Sequence, residues 1–410
     1  MSRPSGALLV LVCVLGLAMP AAARVAASVH FRVTYAPDEA TAEYVDLVLR
    51  SLEAAYDLLV TREGFPPPPT PIDVYIVAGD GAEFGAEYTE IAEDGTAHTV
   101  IEIADEAVMQ SAADESFLGM TRDEAVLSTA AHEVFHALQD AAALHGAGDV
   151  TEELFVEPHA TAIQESVAPG ADDYLEMGID FLFAPDGGSF AHRRYDAGVF
   201  WVYVIDRQGG LEVVRRVMNA SATYDGFASM DAALGSGGST FFDLWTEFAL
   251  AFATESLPDQ ASVRMLSKAV GRELERPGLA IPTPVAAVDW TGKEMVVDRV
   301  NVAPPLADGS PYDEDREGTL LRVAHAYGID VVSIRPASGL PLRLIVSGDA
   351  GTDLRVALVG RLASGTWEHF APRDGEYTIT TPSDYRELRV VLTRGEKGVG
   401  TYAIRLMPGE

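Results

Sequence analysis

Ala130-Ala131-His132-Glu133-Val134-Phe135-His136-Ala137-Leu138 places two imidazoles four residues apart with a carboxylate beside the first. On an α-helix, residues i and i+4 share a face, so His132 and His136 can aim their ring nitrogens at one cation. Neutral imidazole suits zinc, and catalytic zinc sites take three protein ligands and keep a fourth position open. Glu133, one step round the helix, can reach that position as a general base without being a ligand. The helix is well specified. Thr121 followed by Glu124 is a capping-box signature, and Ala125 to Leu138 contains neither Gly nor Pro.

Such a site needs a third ligand. Gln139 and Ala142 stand where a closely following Gly and His would be needed, so a third histidine from that extended motif is excluded. The stretch from Thr151 to Glu165 holds the start of a second helix and supplies the candidates. Glu157 precedes Pro158, a residue suited to a first helical turn, which puts its carboxylate where this helix begins. Glu153 and His159 are the runners-up.

His132-Glu133-Val134-Phe135-His136-Ala137-Leu138-Gln139 and Glu157-Pro158-His159-Ala160-Thr161 together resemble a bacterial family of secreted zinc metalloproteases first described in myxobacteria. That family shows a His-Glu-x-x-His-Ala-x-Gln helix followed by a Glu-Gly-x-Ala-Thr-like segment. The resemblance continues more weakly through Asp172-Asp173-Tyr174, Tyr195 to Phe200 and Gly209-Gly210-Leu211, so it covers roughly Met120 to Val217. It implies a gluzincin-like zinc peptidase with Glu157 as third ligand to Zn2+. Two positions depart from the pattern. Pro158 replaces a small Gly, and Thr161 stands where gluzincins carry an acidic residue that orients the first His.

Arg3, the apolar run Ala7 to Met19 and Pro20-Ala21-Ala22-Ala23 have the three parts of a secretory signal peptide, with cleavage expected after Ala23 or Ala27. This predicts a secreted or periplasmic bacterial protein with no stable membrane insertion after cleavage. Cys13, the only cysteine, lies in that run, so neither a disulfide nor a thiolate ligand is expected in the mature chain. A net charge of −33 argues against nucleic acid or anionic lipid as a partner; a peptide or protein substrate is what the resemblance implies. No sequence feature sets the oligomeric state.

The predicted fold class is α+β: a zincin-like catalytic domain over 28–290, with an αβ N-terminal lobe and a helical C-terminal lobe, then a β-sandwich accessory domain over 291–410. Strands are expected at Val29 to Tyr35, Ile72 to Val77 and Thr99 to Ala104, with a helix between Asp38 and Val60. The third strand is the candidate cleft edge. With the first strand so close to the signal, a large inhibitory N-terminal propeptide has no room. Helices are expected at His192 to Arg207, Leu211 to Asn219 and Thr240 to Glu255. Tyr195 and His192 are candidates for stabilising an oxyanion, since either can donate a hydrogen bond.

From Met295 onward, short β runs alternate with turn residues. The acidic stretch Asp308 to Glu317 lacks calcium-loop spacing, and Gly235-Ser236-Gly237-Gly238 reads as a turn with no phosphate role. Two other readings remain: a zinc-bound non-peptidase hydrolase or catalytically degenerate homologue, and an extracellular binding protein acting through the β domain, its metal structural.

Overall fold

The computed structural model describes residues 23–78, 84–91, 97–142, 155–185, 190, 193–224, 226–234, 240–273, 281, 284, 286–292, 295–299, 328–348, 354–373, 375–395 and 402–409. The fold is mixed α+β. Residues 1–22, which hold most of the expected signal peptide and Cys13, lie outside the described residues, as do 143–154, 191–192, 235–239 and 300–327. Among the described residues no helix is long and apolar enough to cross a membrane.

The first sheet has the order β1 (Arg24–Ala27), β2 (Phe31–Tyr35), β3 (Ile72–Val77), β5 (Ala97–Ala104), β4 (Gly85–Ile91). The inner pairs β2–β3 and β3–β5 are parallel, and the outer pairs are antiparallel. Two differences from expectation follow. The strand around Thr99 to Ala104 is not the edge, because β4 pairs along it from Gly85↔Ile103 to Ile91↔Ala97 and takes that place. Glu87, Thr89 and Glu90 dilute the apolar signal of β4. Arg24–Ala27, assigned to the signal by the later cleavage site, is instead paired with β2.

α1 (Ala42–Tyr56), N-capped by Thr41, packs against the sheet and against α3 (Arg122–Ala141); α2 (Glu106–Glu115) lies between them in sequence. The Thr121–Glu124 capping box starts α3, and almost every residue from Ala125 to Gln139 is buried. A helix buried on all sides needs small residues where neighbours approach. Ala125, Ala130, Ala131 and Ala137 supply them against α1, β4, β5 and α4 (Glu157–Val167).

The helical part continues with α5 (Asp173–Met177), α6 (Ile179–Phe183), α7 (Gly198–Gln208), α8 (Glu212–Ser221), α9 (Phe227–Leu234), α10 (Phe241–Ala253) and α11 (Gln260–Glu273). The helix expected from His192 starts only at Gly198, after a 3-10 turn over Tyr195–Ala197. Phe181, Phe190, Phe200, Phe241, Trp245 and Phe248 form its aromatic core, with ring centroids 4.7 Å apart for Phe190–Trp245 and 5.3 Å for Phe200–Trp245. These are the tilted and edge-on spacings that aromatic rings prefer.

The C-terminal region carries two sheets, one ordered β11 (Trp367–Phe370), β10 (Leu354–Leu362), β13 (Tyr385–Arg394), β8 (Ile329–Pro336), β6 (Ala286–Trp290), the other β12 (Glu376–Ile379), β9 (Leu342–Gly348), β14 (Tyr402–Pro408), β7 (Met295–Arg299). β6 pairs with β8 in parallel, so this region begins before the expected boundary at 291. Alternation explains the layering. Val332 and Ile334 of β8, with Val390 and Leu392 of β13, share a core with Leu344, Ile404 and Leu406 of the second sheet. Ile329, Val331 and Val391 turn the opposite way and join the helical core. The first of these sheets therefore lies between α10 and the other sheet, which requires strands that are apolar on both faces.

Polar contacts fasten the same junction. The buried Arg389 donates to Ala253 O at 2.6 Å and to Glu387 at 2.9 Å, reaches Glu255 at 3.4 Å, and stacks over Trp367. Removing this guanidinium leaves Glu255 to Arg361 at 3.1 Å and Glu387 to Ser333 at 2.6 Å, a weaker compensation of two partly buried charges. Arg389→Ala should cost about 3 kcal/mol of unfolding free energy, read by denaturant titration of the metal-free protein.

Candidate metal centre

His132 and His136 lie one turn apart on α3, and Glu157 is the first residue of α4, with Pro158 following it in the first turn. Their ligand atoms all lie within 4.8 Å of one another, and the cluster could hold a metal ion. Glu157 Oε2 is 3.2 Å from His132 Nε2 and 3.5 Å from His136 Nε2. Zinc bonds of about 2.0–2.2 Å in tetrahedral geometry put neighbouring ligand atoms about 3.3–3.5 Å apart, so the spacing fits such an ion. The rings stand 79° to each other with centroids 4.6 Å apart, so the two nitrogens converge instead of stacking. Among the described residues one further group, Glu165, Asp172 and Asp259, also brings ligand atoms together, but it offers oxygen only and is partly exposed.

Electrostatics bind the cluster tightly in the metal-free chain. Burial works against the Glu157 charge, yet hydrogen bonds from both imidazoles hold its carboxyl well below the usual carboxylate range. Burial alone would lower the His136 pKa, but the bond to Glu157 and the charge of Glu133 raise it above that of a free imidazole. His136 Nδ1 lies 2.8 Å from Gln139 Oε1, and Gln139 Nε2 donates to Val156 O at 3.0 Å and to Phe155 O at 3.3 Å. Gln139 thus ties the second histidine to the backbone that delivers Glu157. In the sequence Gln139 is visible only as a motif position, because its role depends on where residues 155–156 fold back.

His159, a runner-up ligand, is not at the site. Two residues on a helix differ by about 200° in direction, and His159 faces the core, stacked on Phe155 at 5.4 Å and edge-on to Trp201 at 4.1 Å. Burial pushes its pKa down to about 3. Glu153 and His192 lie outside the described residues.

An open cleft of about 580 Å3 lies over the cluster, lined on one side by Phe84 to Glu87 of the β4 edge and on the other by Arg194 and Tyr195. Glu133 is buried at its floor, and Gly85 approaches so closely that a Cβ there would sit 2.7 Å from Glu133 Oε1 and 2.8 Å from Thr129 Cγ2. Tyr195 is 40% exposed and its ring stacks over His132 at 5.8 Å. Burial and the charge of Glu157 push its phenol up to about 12, so it remains a donor at neutral pH. Arg194 donates to Glu157 Oε1 at 3.3 Å and is the one guanidinium among the described lining residues. Glu87 faces the same cleft, and burial, then the charge of Asp140, push its carboxyl up to about 8. Neither Arg194 nor Glu87 stood out in the sequence, since β4 and the turn before α7 are irregular in pattern.

No family model matches the chain, and no curated protein matches it either. The likeness to secreted metalloproteases therefore stands on the motif residues alone.

Because His136 holds a proton that a metal must displace, apparent zinc affinity should climb with pH by roughly tenfold per unit between pH 7 and 8, measured by competition with a chelator. A flat profile would contradict the raised His136 pKa. Gly85→Ala should leave zinc content intact while pushing Glu133 aside, lowering kcat/KM for any hydrolysed substrate on the order of 100-fold.

Proposed function

We propose that the chain is an exported zinc metallopeptidase: a zincin-like catalytic region whose cleft takes an extended peptide, followed by an accessory β-sandwich. One observation carries this reading. Two imidazoles and a carboxylate converge at zinc-compatible distances directly beside a buried glutamate at the floor of an open cleft. A purely structural metal site has no need of that cleft or that glutamate.

Zinc, when held by His132, His136 and Glu157, would supply Lewis-acid polarisation of the scissile carbonyl and of a nearby water. Glu133 then acts in both directions. It accepts a proton from the attacking water and passes it to the leaving amine as the C–N bond breaks. Tyr195, kept protonated, donates a hydrogen bond to the oxygen that gains charge. The outer edge of β4 can pair with a peptide backbone, orienting the substrate along the cleft without demanding particular side chains. The sandwich reading rests on the core shared by the two C-terminal sheets. Export rests on the N-terminal composition, and the pairing of Arg24–Ala27 in β1 favours cleavage after Ala23.

The test compares the purified protein with two variants by metal analysis and casein digestion. Wild type should carry one zinc per chain and show chelator-sensitive proteolysis. Glu133→Gln should keep zinc and lose roughly 10²–10⁴-fold in turnover, whereas Glu157→Ala should lose the metal. Full hydrolysis by Glu133→Gln would sink the assignment of the base.

A further inference from the structure

A histidine that ligates through Nε2 needs its Nδ1–H held, because that bond sets the tautomer and the ring orientation. His136 has this support from Gln139 Oε1 at 2.8 Å. His132 does not: its Nδ1 is buried with no hydrogen-bond partner among the described residues. Thr161, one turn along α4 from Glu157, is committed elsewhere. Thr161 Oγ1 donates to Glu157 O at 2.9 Å, and its methyl packs so tightly on α7 that a Cβ on Gly198 would come within 2.6 Å of it.

Another carboxylate lies nearby. Asp173, the first residue of α5, accepts from Ser128 Oγ at 2.9 Å and from Gln164 Nε2 at 3.1 Å, both on Oδ2. Ser128 precedes His132 by four residues on the same face of α3, so these bonds hold Asp173 on the face of α3 that carries His132, one turn away. A half-buried carboxylate with two neutral donors is costly to keep where packing alone is required. An asparagine would fill the same space at lower cost.

We propose that Asp173 is the positioning residue for His132, its Oδ1 accepting the Nδ1–H, directly or through one water, when Nε2 turns to the metal. Asp173 lies at the start of α5, sixteen residues beyond Glu157. The inference rests on the metal-centre reading.

The experiment measures Zn2+ affinity by chelator competition, and the visible spectrum of the Co2+-loaded protein, for wild type, Asp173→Asn and Asp173→Ala, with metal-free thermal unfolding as the folding control. Asp173→Ala should bind zinc roughly 10 to 100-fold more weakly and shift the Co2+ bands, with Asp173→Asn between it and wild type. Zinc-loaded wild type, which needs no variant to fold, should also show a slowly exchanging His132 Nδ1–H in its NMR spectrum. Tight zinc binding by wild type with unchanged affinity and Co2+ spectrum in both variants, or no such proton, overturns the role of Asp173 alone. A wild type that takes up no zinc overturns the metal centre and this inference together.

Discussion

A carboxylate buried between two imidazoles is the constraint on which the surrounding structure depends. Glu157 stays ionised in a largely buried position because His132 and His136 meet it at 3.2 and 3.5 Å. Removing a charge from water is tolerable only when opposite charge or hydrogen bonds compensate it closely. That requirement fixes α3 against α4, and Gln139 locks the same junction from below by bonding both His136 and the backbone at Phe155 and Val156.

The packing of α3 follows from this. A helix that presents ligands to one neighbour while touching the sheet, α1 and α2 cannot be amphipathic in the usual way, and its buried residues run nearly all round. Beyond α4 and α7 the aromatic core of the helical region carries the load outward to α10. There a β-sheet, apolar on both faces, takes over. The two C-terminal sheets are consequently packed with the helices, held by Val331, Val391 and the Arg389 network, so their stability and that of the site are linked through α10.

The cleft itself arises from two elements with weak sequence patterns. β4 mixes Glu87, Thr89 and Glu90 with apolar residues and acquires its place only by pairing with β5. Arg194 and Tyr195 sit in a turn ahead of α7 beside the His132–His136–Glu157 cluster, and Gly198 lets α7 pack directly on Thr161.

What the sequence determined by itself is local. The spacing of His132, Glu133 and His136, the Thr121–Glu124 cap and Pro158 after Glu157 are relations between residues a turn or less apart, and short-range helix geometry is enough to interpret them. The alternation of the C-terminal strands was legible for the same reason, although β6, which lies before Met295, and β11, with Glu368 and His369 at its centre, were not anticipated. Only the tertiary structure decided which strand borders the cleft, that His159 turns into an aromatic core, and that Gln139, Asp173 and Arg194 gather near the metal cluster. Those facts depend on contacts between distant segments, set by which faces must be buried against one another, and no periodicity within a single segment records them.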